Sequence, residues 1–304
     1  MRTVVYIPLV CALALAAGVP AIVRSAPPRL GAAVLVTVAL GVALAADAAL
    51  VILVGARLID AAPLASLLGW RAEASGPHPV PLPVSVAAAA CAMVVLVLGL
   101  AEWRRSSAAA RRLRALRGHD ETGELVVVRS SALLAFALPA TRTSPGRILV
   151  SDGMLRALDA DERRVLLAHE RSHLRHRHDR YRRLVGIAAS LNPLLRPAVG
   201  AVDFLLERWA DEDAAGEVGS RRLTARALTR AAVAVSPRPG RLWQPSFASE
   251  RVSRRVSALL APPSAHGRRL ALLLMVSLGL IGAATAAAAA HDLAHLFDLL
   301  RGDG

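Results

Sequence analysis

The sequence predicts a mainly α membrane protein: about four transmembrane helices, with an α+β domain on the cytoplasmic side between the third and the fourth. Three observations carry that expectation. Hydrophobic residues make up 55% of the 304 residues and gather in long runs near 4–23, 30–55, 84–100 and 270–290. A helix needs ~20 apolar residues to cross the hydrocarbon of a bilayer, and these runs approach or exceed that length. Most arginines fall between the third and fourth runs, which places that segment inside by the positive-inside rule. Within it lies a helix-patterned stretch, 159–174, carrying two histidines four residues apart.

The first run has one arginine before it and is long enough to span, unlike the short apolar core of a cleaved signal. Arg24 and Arg29 bracket a short basic turn, read as inside, which puts the N-terminus outside. The second run contains Asp47, expected near the outer end or against another helix, because a carboxylate is costly in lipid. Residues 56–83, with scattered Pro and Gly, read as an outer loop. The third run passes directly into Trp103, Arg104 and Arg105, an interfacial anchor and a cytoplasmic flank. Arg254, Arg255, Arg268 and Arg269 precede the fourth run, and a short tail follows it outside. The expected division is therefore 1–101, 102–269 and 270–304.

The formal net charge is +14, and every basic residue is arginine. Charge alone would suit nucleic acid or an anionic membrane, but the apolar runs decide for the lipid bilayer as partner. Direct nucleic-acid binding is not expected. Cys11 and Cys91 both lie inside apolar runs and read as small packing residues.

In the central segment, Glu124–Arg129 and 147–151 read as strands, and 135–140 and 143–146 as turn or loop. The strand at 147–151 is expected either to be purely structural or to line a cleft and accept a peptide strand on its edge. Residues 184–206 are apolar but broken by Asn192-Pro193 and Arg196-Pro197. They read as two helices with a kinked join at the membrane face, with a re-entrant or extra spanning segment as the alternative. Residues after Asp213 read as an arginine-rich helix to about 235, then loop.

The stretch at 159–174 opens on Asp159, a good N-cap, with Glu162 three residues on in capping-box position. It contains His169-Glu170-x-x-His173. Residues four apart on a helix share one face, so both imidazoles can reach one Zn²⁺. Glu170 projects about a third of a turn away, where it can act as general base on the attacking water. A third donor is available in Glu207, with Asp211 four residues on and on the same face. Asp211 is placed to accept the free N–H of a ligating histidine. The expected set is metal ligands His169, His173 and Glu207, catalytic Glu170 and supporting Asp211: the donor set of a zinc hydrolase.

These residues, with Asn192-Pro193 and the layout of three apolar runs, a zinc segment and a fourth run, resemble the BlaR/MecR-type integral-membrane metallopeptidases, family 56. Those are relatives of the HtpX and prenyl-protein-processing proteases. The resemblance covers roughly 130–215 in motif and the whole chain in layout. It implies a zincin-like (gluzincin) metallopeptidase domain, with the roles assigned above to His169, Glu170, His173, Glu207 and Asp211. It further implies a multi-pass protein of the cell membrane whose polypeptide substrate is a cytoplasmic protein such as a DNA-binding transcriptional repressor. Two departures stand out. Relatives often place an Asp five residues after the second histidine, where this chain has His178. The family's antibiotic sensors carry a large extracellular penicillin-binding domain after the fourth span, where this sequence has a short tail, so sensing through such a domain is not expected. The alternatives are an HtpX-like quality-control protease and a non-catalytic membrane signalling protein. An intact Glu170 speaks against the second, since a binding module has no need of a base.

Overall fold

The computed structural model describes residues 7–58, 81–115, 123–141, 144–235 and 245–261, with isolated helical positions between 273 and 291. Long apolar runs form the first three described helices. Helix α1 (Ile7–Ser25) and helix α2 (Pro28–Leu58) are joined at Ala26-Pro27, and helix α3 (Leu82–Ala115) follows. The stretches Pro28–Val51 and Leu82–Ala108 are long and apolar enough to cross a membrane; the apolar part of α1, Val10–Ser25, is shorter. The outer-loop expectation falls mostly on 59–80, outside the described residues, and so does most of the fourth run. Helix α3 continues without a break through Trp103 and the arginines that follow it.

Strands β1 (Leu125–Val128), β2 (Ala135–Leu138) and β3 (Arg147–Ser151) form one sheet in the order β1-β3-β2. β3 runs parallel to β1 and antiparallel to β2. Two expectations are corrected here. Ala135–Leu138 is a strand, not a turn: it pairs with β3 in register, Phe136 opposite Leu149. And β3 is central, bonded on both sides, so it has no free edge for a peptide; among the described residues β1 and β2 are the edge strands.

Ser151 ends β3 and caps helix α4 (Asp152–Ala157), accepting the Met154 N–H at 3.1 Å. Helix α5 (Ala160–Arg175) opens on the expected capping box: Asp159 accepts the Glu162 N–H at 2.8 Å, and the Glu162 carboxylate accepts the Asp159 N–H at 3.0 Å. Arg177, at φ 53°, is the described non-glycine residue with left-handed backbone. It turns the chain sharply into helix α6 (His178–Leu191). That helix stops where Asn192 becomes extended, and its side chain caps a short 3-10 turn, Pro193–Leu195. Helices α7 (Arg196–Val218), α8 (Arg221–Val235) and α9 (Pro245–Leu260) complete the described fold.

The kinked join of the sequence reading is thus a helical hairpin, α6–α7. Its inner face does not stand apart from the first helices. Leu15 and Ile22 of α1, Leu35 and Val42 of α2, Val185 of α6, Leu195 of the 3-10 turn, and Val202 and Leu205 of α7 form one buried cluster. Apolar burial of this kind is worth ~25 cal/mol per Å² removed from water, so the hairpin and the first two helices are held as one body. Gly31 allows the close approach: a Cβ there would sit 3.0 Å from the Ala26 Cβ and 3.2 Å from a Leu205 methyl.

Candidate metal centre

α5 and α7 pack side by side and set the site between them. From α5 come His169, Glu170 and His173, all buried; from α7 come Glu207, partly buried, and Asp211, buried. The Nε2 atoms of His169 and His173 are 3.1 Å apart. Glu207 reaches both, its Oε2 lying 3.4 Å from His169 Nε2 and its Oε1 3.6 Å from His173 Nε2. One donor atom from each of His169, His173 and Glu207 falls within a circle of 4.8 Å, so the three can close on a single ion. Two imidazole nitrogens and a carboxylate are a donor set suited to Zn²⁺.

The support behind these donors comes from both sides. His169 Nδ1 lies 3.0 Å from Asp211 Oδ1, within hydrogen-bond reach but imperfectly aligned. His173 Nδ1 lies 2.6 Å from Nδ1 of His178, which is fully buried. His178 therefore stands behind the second histidine as Asp211 stands behind the first. Two arginines that sequence reasoning did not single out complete the centre. Arg182 on α6 donates to Glu207 Oε1 at 2.7 Å and to Asp203 at 3.1 Å. Arg255 on α9 forks onto Asp211 at 2.6 and 2.8 Å and reaches Glu207 Oε2 at 2.9 Å. No local pattern could have found them: each is one of 37 arginines, and its partner is distant in sequence.

In the metal-free site, charge states follow from this geometry, and zinc binding would displace the proton held by His169. Burial alone would neutralise His169, but the Asp211 and Glu207 carboxylates bonded to it overcome burial and lift its pKa to about 10. Burial, and then the charge on His169, push His173 down to about 2. Burial and the Arg182 charge push His178 down to about 3. Burial opposes ionisation of Glu207 and Asp211, yet the His169 and Arg255 charges hold both well below the ordinary carboxylate range. Glu170 goes the other way: burial raises its pKa, with the Glu207 charge adding to the rise, against the pull of His169 and of the Ala137 N–H bonded to it. That N–H belongs to β2, so the edge strand lies directly against the catalytic candidate.

His169, Glu170, Glu207 and Arg255 open onto a cleft of about 740 Å³ between α5, α8 and α9, walled by apolar side chains such as Val165, Leu166, Ala231 and Val256. Glu162 lines its far end and is paired with Arg226 and Arg230 of α8 at 3.3 and 3.7 Å.

Residues 101–236 match the family model described as Peptidase family M48. The match takes in β1 to β3, the whole metal centre except Arg255, and helix α8. It supports a metallopeptidase of that family. No curated protein and no solved structure matches the chain.

Proposed function

We propose that this protein is a membrane-bound zinc endopeptidase that cleaves a cytoplasmic polypeptide such as a transcriptional repressor, in the manner of the BlaR/MecR type. The observation that carries the catalytic part is the convergence of His169, His173 and Glu207 within 4.8 Å, beside a buried Glu170. The regulatory part rests on the chain layout and Asn192-Pro193, which the BlaR/MecR type shares.

His169, His173 and Glu207 are the residues that would hold zinc, and Glu170 would serve as base. The metal supplies Lewis-acid activation of water and of the scissile carbonyl. Glu170 takes the proton of the attacking water and returns it to the leaving amine. Among the described residues β2 is an edge strand beside Glu170, and an extended substrate that takes the Ala137 N–H from Glu170 can pair along it by main-chain hydrogen bonds. The apolar walls of the cleft favour apolar substrate side chains next to the cut bond.

The match over 101–236 is to family M48, not to the BlaR/MecR type, and favours a second reading: quality control of membrane proteins, HtpX-like. Degradation of many unfolded substrates distinguishes it from a single repressor.

The full-length protein in detergent, loaded with zinc and given an unfolded polypeptide, is expected to cleave it. Glu170→Gln is expected to lower the rate by ~10²-fold or more with zinc content unchanged. Equal cleavage by both forms would overturn the assignment of Glu170. Zinc binding without any cleavage of unfolded or membrane-protein substrates would favour the non-catalytic signalling alternative.

A further inference from the structure

A second cavity, of about 760 Å³, lies where the α1–α2 turn meets α7 and α9. Five arginines line it: Arg221 from α8, which is paired with Glu212, and four others, Arg24 and Arg29 from the turn, Arg208 from α7 and Arg254 from α9. None of the four forms an ion pair among the described residues. The acids in the same cavity are already engaged. Glu212 is paired with Arg221, and Asp213 accepts from Ser172 at 2.7 Å and contacts His176 at 2.9 Å. The free charge of the cavity is therefore positive.

Three of these four guanidiniums, those of Arg29, Arg208 and Arg254, are also held in place. Arg29 lies over the Trp209 ring at 5.6 Å, and Arg254 lies over the Phe204 ring at 4.8 Å. Arg208 donates to the Val23 carbonyl at 3.3 Å. Guanidiniums stacked on aromatic faces lose little freedom on binding, and their planar forks match the oxygens of a phosphate. The position selects the source of that phosphate. The cavity opens where the apolar stretch Pro28–Val51 begins, at the level of a lipid headgroup if that helix spans a bilayer. Ala26, Pro27 and Pro28 add apolar lining to the same cavity.

We propose that this cavity binds the phosphate of an anionic phospholipid headgroup. The bound lipid would tie the α1–α2 turn to α7, the helix that carries Glu207 and Asp211. The site does not depend on peptidase activity, though it does rest on α2 lying in the membrane.

The test uses the full-length protein in neutral detergent, titrated with labelled phosphatidylglycerol and, separately, labelled phosphatidylcholine. Arg24→Gln with Arg254→Gln is compared with Arg222→Gln and Arg251→Gln, an equal loss of charge at exposed arginines outside the cavity. Wild type is expected to prefer phosphatidylglycerol. The cavity pair is expected to weaken that binding about tenfold or more, and the control pair to leave it within about twofold. Zinc content should be the same in all three proteins, which shows that they are folded. Equal weakening by both pairs, or none by either, would overturn the site. Inorganic phosphate binding as tightly as phosphatidylglycerol would overturn the lipid as its source.

Discussion

Two histidine nitrogens 2.6 Å apart cannot both carry a proton. For His173 to present a free Nε2 towards His169 and Glu207, its proton sits on Nδ1 and His178 Nδ1 accepts it. His178 then carries its own proton on Nε2, which is buried without a hydrogen-bond partner among the described residues. A neutral imidazole thus occupies a supporting place that relatives often give to a carboxylate. The consequence can be read in stability against pH. The folded pKa of His178, about 3, is below the ordinary ~6.5, so its contribution is fully present above ~6.5 and is lost as pH falls towards the folded value. In metal-free protein, His178→Phe is expected to flatten the fall of Tm between those limits; an unchanged slope would refute this account. Arg255 offers a second check. Its fork holds Asp211 and Glu207 together, so Arg255→Lys is expected to weaken zinc binding by ~10-fold or more, measured by chelator competition.

At the scale of elements, α7 is the piece on which the rest depends. One face carries Glu207 and Asp211 to the metal helix, and another packs Val202 and Leu205 against α1 and α2. Gly31 is the contact that sets the spacing. Gly31→Val adds atoms where a Cβ is already tight against Ala26 and Leu205. It is expected to cost about 1–3 kcal/mol and lower zinc affinity as α7 shifts. Loss of stability with zinc affinity intact would show that the site is insulated from the first helices. The capping box of α5 was legible because it is built from residues three apart. β2 was not, because Ala135 and Ala137 have weak strand preference and only pairing with β3 makes the segment extended.

For the whole molecule, the two long apolar helices differ in how they are covered. Of its most apolar window, α2 has 56% buried within the protein, and α3 only 11%. Large side chains such as Met93, Leu96 and Val97 stand open on α3, a surface suited to lipid. The protein is expected to stay with membranes through an alkaline wash, and single cysteines at those positions should react with a lipid-soluble reagent but not with a charged one. Release by the wash would remove the membrane reading and, with it, the lipid source of the arginine cavity. Because α6–α7 shares a core with α1 and α2, the hairpin is held to these apolar helices, and Glu207 follows two residues after Leu205, which meets Gly31.

Features built from residues close together in the chain were legible before any fold was known. The metal-helix motif, its N-terminal cap, the Glu207–Asp211 spacing and the break at Asn192 each follow from a period of about four residues or from one backbone preference. Tertiary structure decided what depends on elements meeting. Strand order made β3 central and left β2 at the edge beside Glu170. The turn at Arg177 folded His178 under His173. The packing of α6 and α9 on α7 chose Arg182 and Arg255 from many chemically identical arginines. A guanidinium carries no mark of its partner in local sequence, because a charge pair is a contact in space, and only the fold brings its two halves within reach.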